Sequence, residues 1–87
     1  MVVDPPSLPE CAAPRVAKLS WNASAASVRS VNIFVRDKKG QEALFFSCEP
    51  IGSASTGAWV GAGTMFVLKD GDTLKQITDV SVRSDNC

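Results

Sequence analysis

The chain has 87 residues, 45% of them hydrophobic, and nine basic residues balance nine acidic ones to a formal charge of zero. That length holds one domain, and the scatter of charge, with Lys38 and Lys39 the only basic pair, excludes the clustered cations of a nucleic-acid surface. No apolar run approaches the roughly 20 residues that cross a bilayer, and with no histidine present Cys-His and Ser-His catalysis lose their base.

Residues 1–14, "MVVDPPSLPECAAP", read as a proline-rich entry segment with an irregular first strand over 5–11. Residues 15–87 read as a single β domain, because short segments alternate with a period of two and none repeats apolar residues at helical spacing over three turns. "RVAKLSWNA" sets Arg15, Ala17, Leu19 and Trp21 on one face and Val16 with Lys18 on the other. At its end, Asn22-Ala23-Ser24 matches the N-glycosylation tripeptide, which matters only in a eukaryotic secretory protein. "SVNIFVRD" then alternates Val31, Ile33 and Val35 against Asn32, Phe34 and Arg36.

"DKKG" is a turn whose Gly40 takes the left-handed position of a hairpin bulge, with Lys38 and Lys39 as solvated tip residues. The returning strand, "QEALFFSCE", places Leu44, Phe46 and a buried Cys48 on one face and Ala43, Phe45 and Ser47 on the other. "PIGSASTG" is a loop by composition. Farther on, "TMFVLKD" alternates Phe66 and Leu68 against Met65 and Val67. Gly61 and Gly63 turn the chain into that strand rather than cradle a phosphate, since a phosphate loop needs a helix after its glycines and here a strand follows. "KDGDT" carries an Asp-Gly turn, and Asp70 with Asp72 lacks the further ligands of a calcium loop. In the last strand, "TLKQITDVSVR", Leu74 and Ile77 are out of phase, and a bulge near Gln76 restores the alternation.

Cys11, Cys48 and Cys87 lack the paired spacing of a zinc site. They read as one structural disulfide plus one thiol, a bridge suited to a small core in an oxidising compartment. Chain entropy does not choose the pair, because closing 11 to 87 or 11 to 48 differs by about 0.6 kcal/mol. The start has neither the basic nor the apolar region of a signal peptide, so the protein is either cytosolic or a mature form with an added methionine, and the cysteines favour the mature form of an exported protein. A lipidated cysteine in the place of Met1 is one history for it.

"LSWNA" (19–23) resembles the second-strand signature of fibronectin type III domains, and "VGAGTMFVL" (60–68) resembles the turn into their sixth strand. "DPPSLPE" is similar to their proline-rich entry. The pattern departs from the family at Phe66, where a tyrosine is usual, and at Ala62, where proline is common. The resemblance implies an immunoglobulin-like antiparallel β-sandwich of about seven strands, at 15–22, 30–37, 41–48, 63–70 and 74–84 with 5–11 and a short edge element at 56–60. Leu19, Trp21, Ile33, Phe66 and Leu68 are its core signature. It also implies that the first and last strands end at one pole, so that Cys11 pairs with Cys87; Cys11 with Cys48 is the alternative.

The expected function is a non-catalytic protein-interaction or structural module of an exported bacterial protein, periplasmic, lipid-anchored or at the cell surface, with no cofactor or metal. Its partner is another protein or an envelope component. The candidate surface is Ile51, Ser53, Ser55, Thr56 and Trp59, with Trp59 an anchor where more than about a third of it is exposed. Carbohydrate binding is the alternative, Trp59 stacking on a sugar ring while Ser53, Ser55, Thr56 and Asn22 supply hydrogen bonds.

Overall fold

The computed structural model describes residues 1–37 and 39–87. Lys38, one of the two expected turn-tip lysines, lies outside the described residues; Lys39 is exposed at that turn. The chain is all-β, with strands β1 (Val2–Asp4), β2 (Ser7–Pro9), β3 (Lys18–Asn22), β4 (Val31–Arg36), β5 (Glu42–Cys48), β6 (Ile51–Ser55), β7 (Met65–Asp70), β8 (Gln76–Ser81) and β9 (Arg83–Asp85). One sheet has the order β1-β3-β6 and the other β5-β4-β7-β8, both antiparallel, while β2 and β9 form a short parallel pair.

Period-two alternation explains how the two antiparallel sheets share one core. Leu19 and Trp21 from β3 meet Val31 and Ile33 from β4 and Phe66 and Leu68 from β7, and all six are buried. Val3, Leu8, Val60 and Val82 close the ends of this cluster. The accessible surface of 5156 Å² is near the roughly 4,900 Å² that area scaling gives for this mass.

Two turns use the left-handed backbone that glycine accepts most cheaply, Gly40 at φ 84° and Gly63 at φ 86°. At the first, the Asp37 carboxylate accepts from the N–H groups of Lys39 and Gln41. At the next hairpin Asp70 does the same work for Asp72 and Thr73, and Asp72 pairs with Arg29 at 3.2 Å. Asp70 and Asp72, which lack the further ligands of a calcium loop, instead hold backbone donors and an arginine. There the left-handed residue is Leu74 at φ 61°, not Gly71, and Leu74 is exposed outside the strand.

Four expectations are corrected. Residues 51–55, read as a loop, form a regular edge strand, because Ser and Ala beside Gly52 leave the backbone free to pair with β3 over five positions. The short edge element expected at 56–60 reduces to single contacts, Thr56 N–H to Ala17 C=O and the Arg15–Val60 bridge. An unforeseen strand, β1, precedes the prolines and pairs with β3.

The fourth correction concerns β5. The register against β4 slips between Ile33, opposite Phe46, and Phe34, opposite Leu44, which leaves Phe45 as an extra residue. A bulge of this kind aims neighbouring side chains to the same side. Phe45 therefore packs on the core beside Phe46, while Leu44 moves to the solvent face and is 57% exposed. Cys48 is half-buried. The bulge expected near Gln76 is present, the β7–β8 register shifting where Ile77 stands between Gln76 and Thr78.

Val67 points away from the core yet is fully buried. Its row across the outer face holds Phe34 and Asp79, and the Lys69 ammonium lies 4.5 Å from the Phe34 ring centre on its way to Glu42, 2.6 Å distant. Arg36 holds the same carboxylate at 2.8 Å. Hydrogen bonds from Lys69 and then Arg36 draw the Glu42 carboxyl below its ordinary range.

Candidate binding face

Trp59 sits in a tight loop after β6, and its ring folds toward the four-stranded sheet instead of away from it. It meets Phe45 edge-on at 5.7 Å between ring centres and the buried Phe66 at 6.2 Å. Phe45 continues the contact to Phe46 at 6.1 Å, and Phe46 meets Trp21 edge-on at 6.1 Å. Five of the six aromatic rings thus form one chain along the side of the molecule, between the edge strands β5 and β6.

This chain of rings is only partly covered. Trp59 is 43% exposed and Phe46 is 40% exposed, so each buries one flank on the core and offers the other to solvent. The five-residue stretch 55–59 has no charged residue, and neither has any position from 51 to 68. An exposed aromatic flank fixed from below is the kind of side chain that anchors a partner.

The residues grouped as one surface in the sequence divide into three environments. Ile51, Ser53 and Ser55 are exposed and lie in register with Asn22, Ser20 and Lys18, on the solvent face of the three-stranded sheet. Trp59 turns to the other side, toward Phe45 and Phe66. Thr56 is buried, its hydroxyl accepting from the Ala17 N–H at 2.9 Å and donating to the Gly57 carbonyl at 2.7 Å. It is a structural tie between the end of β6 and the start of β3, and no surface ligand reaches it. Asn22, the further hydrogen-bonding candidate, spends its side-chain oxygen on the Ser24 N–H and hydroxyl.

Sequence reasoning missed Phe45 and Phe46 as companions of Trp59. The signal was present in "LFF": three consecutive apolar residues cannot all obey period-two alternation without a bulge or an exposed member. Leu19, Trp21, Ile33, Phe66 and Leu68 are all buried in one cluster. The Trp21 indole N–H also donates to the Glu49 carbonyl at 3.0 Å, tying β3 to the two-residue connection between β5 and β6.

At the opposite pole Cys11 and Cys87 are joined, with Cα atoms 5.9 Å apart. Cys48 is the free cysteine, and partial burial followed by the nearby Glu49 charge raises its thiol above the ordinary value. Among the described residues no cluster of three or more metal-ligating side chains occurs, and no helix is long and apolar enough to cross a membrane. Comparison with family models, with curated proteins and with solved structures gives no match to this chain.

Proposed function

We propose that the chain is a non-catalytic interaction module with an immunoglobulin-like, fibronectin type III-like arrangement, and that it binds a protein through the aromatic side formed by Trp59, Phe45 and Phe46. The sheet orders β1-β3-β6 and β5-β4-β7-β8 support the fold assignment. The exposed flank of Trp59, 43% open above a fixed bed of Phe45 and Phe66, carries the functional one. An anchor held in place before binding loses little side-chain entropy on contact.

A protein partner suits this face better than a sugar does. Sugar binding needs hydrogen-bonding groups around the stacking ring, and here Ser53 and Ser55 lie on the other side of β6 while Thr56 and Asn22 are engaged internally. The exposed Cys11–Cys87 bond supports an oxidising location, periplasmic or extracellular, with or without a lipid anchor.

The test compares wild type with Trp59→Ala as baits in extracts of the source cells, with glycan binding measured in parallel. A protein retained by wild type and lost at least tenfold with Trp59→Ala supports the reading. Retention that Trp59→Ala leaves unchanged, or saturable glycan binding that requires Trp59, overturns it.

A further inference from the structure

Sheet ends are places where a chain can recruit another strand, and folded proteins block them with charge, proline, bulges or brevity. Three of the four ends of the two antiparallel sheets here are blocked. β5 carries the Phe45 bulge and Glu42, β8 carries the Ile77 bulge and Asp79, and β1 is three residues long, ends in Asp4 and runs into two prolines. β6 has none of these devices. "IGSAS" is uncharged, free of proline and paired with β3 in unbroken register from Ile51 to Ser55.

The hydrogen bonds at both ends of β6 fix which backbone groups are free. Thr56 donates to Ala17 and Pro50 accepts from Ala23, so the even-numbered positions face β3. Alternation in an antiparallel ladder then turns the N–H and C=O groups of Ile51, Ser53 and Ser55 outward.

We propose that β6 pairs antiparallel with β6 of a second copy about a two-fold axis at Ser53, joining two three-stranded sheets into one of six strands. In that register Ser53 faces Ser53 of the second copy as a hydrogen-bonded pair, and Ile51 faces Ser55 of the second copy on each side. The occupant follows from charge. Using the β3–β6 register, one cross-strand row reads Ser20, Ser53 and then the same two from the second copy in reverse. The flanking row reads Lys18, Ser55, then Ile51 and Asn22 of the second copy. The two Lys18 side chains fall in opposite rows at opposite ends, so self-pairing brings no like charges together. The inner positions, Gly52 and Ala54, are small enough to let two backbones approach.

A five-residue ladder is about 17 Å long, a single strand edge that buries far less than the roughly 800 Å² per partner of a standard interface. The pair is therefore concentration-dependent. It does not rest on the aromatic side: it forms whether or not Trp59 binds anything.

Two measurements on the full chain test it. With Cys48→Ser removing the free thiol, Ser53→Cys places two thiols across the axis at the roughly 5 Å Cβ separation of a cross-strand pair, whereas Ser20→Cys places them three strand spacings apart. Oxidation is expected to crosslink the Ser53→Cys protein at least tenfold faster. In sedimentation equilibrium, wild type is expected to rise above the monomer mass of 9.2 kDa with concentration, and Ser53→Lys to remain monomeric with an unchanged far-UV spectrum. Equal crosslinking rates overturn the proposal, as does a wild-type mass that stays monomeric or a dimer that Ser53→Lys leaves intact.

Discussion

Removing the Cys11–Cys87 bond, by Cys11→Ser with Cys87→Ser, is expected to be the most damaging covalent change available to the chain. The bond closes a loop of 76 residues in sequence separation, for which the chain-entropy relation gives about 4.5 kcal/mol of stabilisation at 25 °C. The structure explains why little else replaces it. β2 and β9 are three residues each and paired in parallel, and β9 is exposed throughout. Their supplements are the bonds Glu10 N–H to Asp85 C=O and Arg83 N–H to Pro6 C=O, with a Ser84–Glu10 side-chain contact. Leu8 and Val82, both buried, lie along this seam and would open with it.

For a domain whose total stability is of order 5–15 kcal/mol, a loss of about 4.5 lowers the melting temperature by roughly 18–36 °C. Guanidinium unfolding of the oxidised and double-serine forms, followed by far-UV circular dichroism and tryptophan fluorescence, measures it. Cys48→Ser serves as control, since that thiol is half-buried and unbonded. A difference under about 1 kcal/mol with an unchanged denaturant slope refutes the view that this bond, rather than the β2–β9 ladder, holds the two ends together.

Gly52→Ala is expected to cost about 1–3 kcal/mol by overpacking, because a Cβ there would stand 3.0 Å from Trp21 Cζ2; equilibrium unfolding measures the loss, and a shift in tryptophan emission reports the displaced ring. Glu42→Gln tests the outer-face network. Lys69 and Arg36 lower the folded carboxyl below its ordinary 4.5, so its contribution is complete at neutral pH and decays as pH falls through the folded value. The stability gap between wild type and Glu42→Gln should be open at pH 7 and close in acid, and a gap that widens on acidification contradicts the assignment. Cys48, with its thiol raised by burial and Glu49, should alkylate several-fold more slowly at pH 7 in the folded protein than after denaturation, and equal rates would show it to be fully accessible.

The core was legible because burial leaves a direct period-two trace. Leu19 with Trp21, Val31 with Ile33, and Phe66 with Leu68 each stand two apart, and all lie in one cluster. The Cys11–Cys87 pairing followed from a fold resemblance rather than from spacing, and the bond is present. Strand β6 was hidden because Gly, Ser and Ala compose it. Its partner β3 supplies the buried side chains, so composition indicated a loop where hydrogen bonding makes an edge. "LFF" was ambiguous for a related reason: a bulge changes which residues face inward, and the slip opposite Ile33 and Phe34 is set by the neighbouring strand. Alternation set Val67 on the face opposite Phe66 and Leu68, and that outer face is closed too: Val67 is fully buried beside Phe34, over which Lys69 reaches to Glu42.

The binding face was legible only in part. Trp59 stood out as a tryptophan in a polar, glycine-rich stretch, yet its direction depends on the return of residues 56–60 along the segment before β3, fixed by the Thr56–Ala17 and Val60–Arg15 bonds. That return points the ring toward Phe45 and separates it from Ile51, Ser53 and Ser55. Neither the separation nor the company of Phe46 could be read from composition.

Site-specific photo-crosslinking tests the central claim most directly. A photoreactive phenylalanine analogue is placed in turn at Phe46 and Trp59 on the aromatic side and at Asp79 on the far edge strand, and each protein is irradiated in extracts of the source cells. The account predicts a common crosslinked protein band from positions 46 and 59, with none from 79. A band from 79 alone, or equal capture from all three positions, would contradict it.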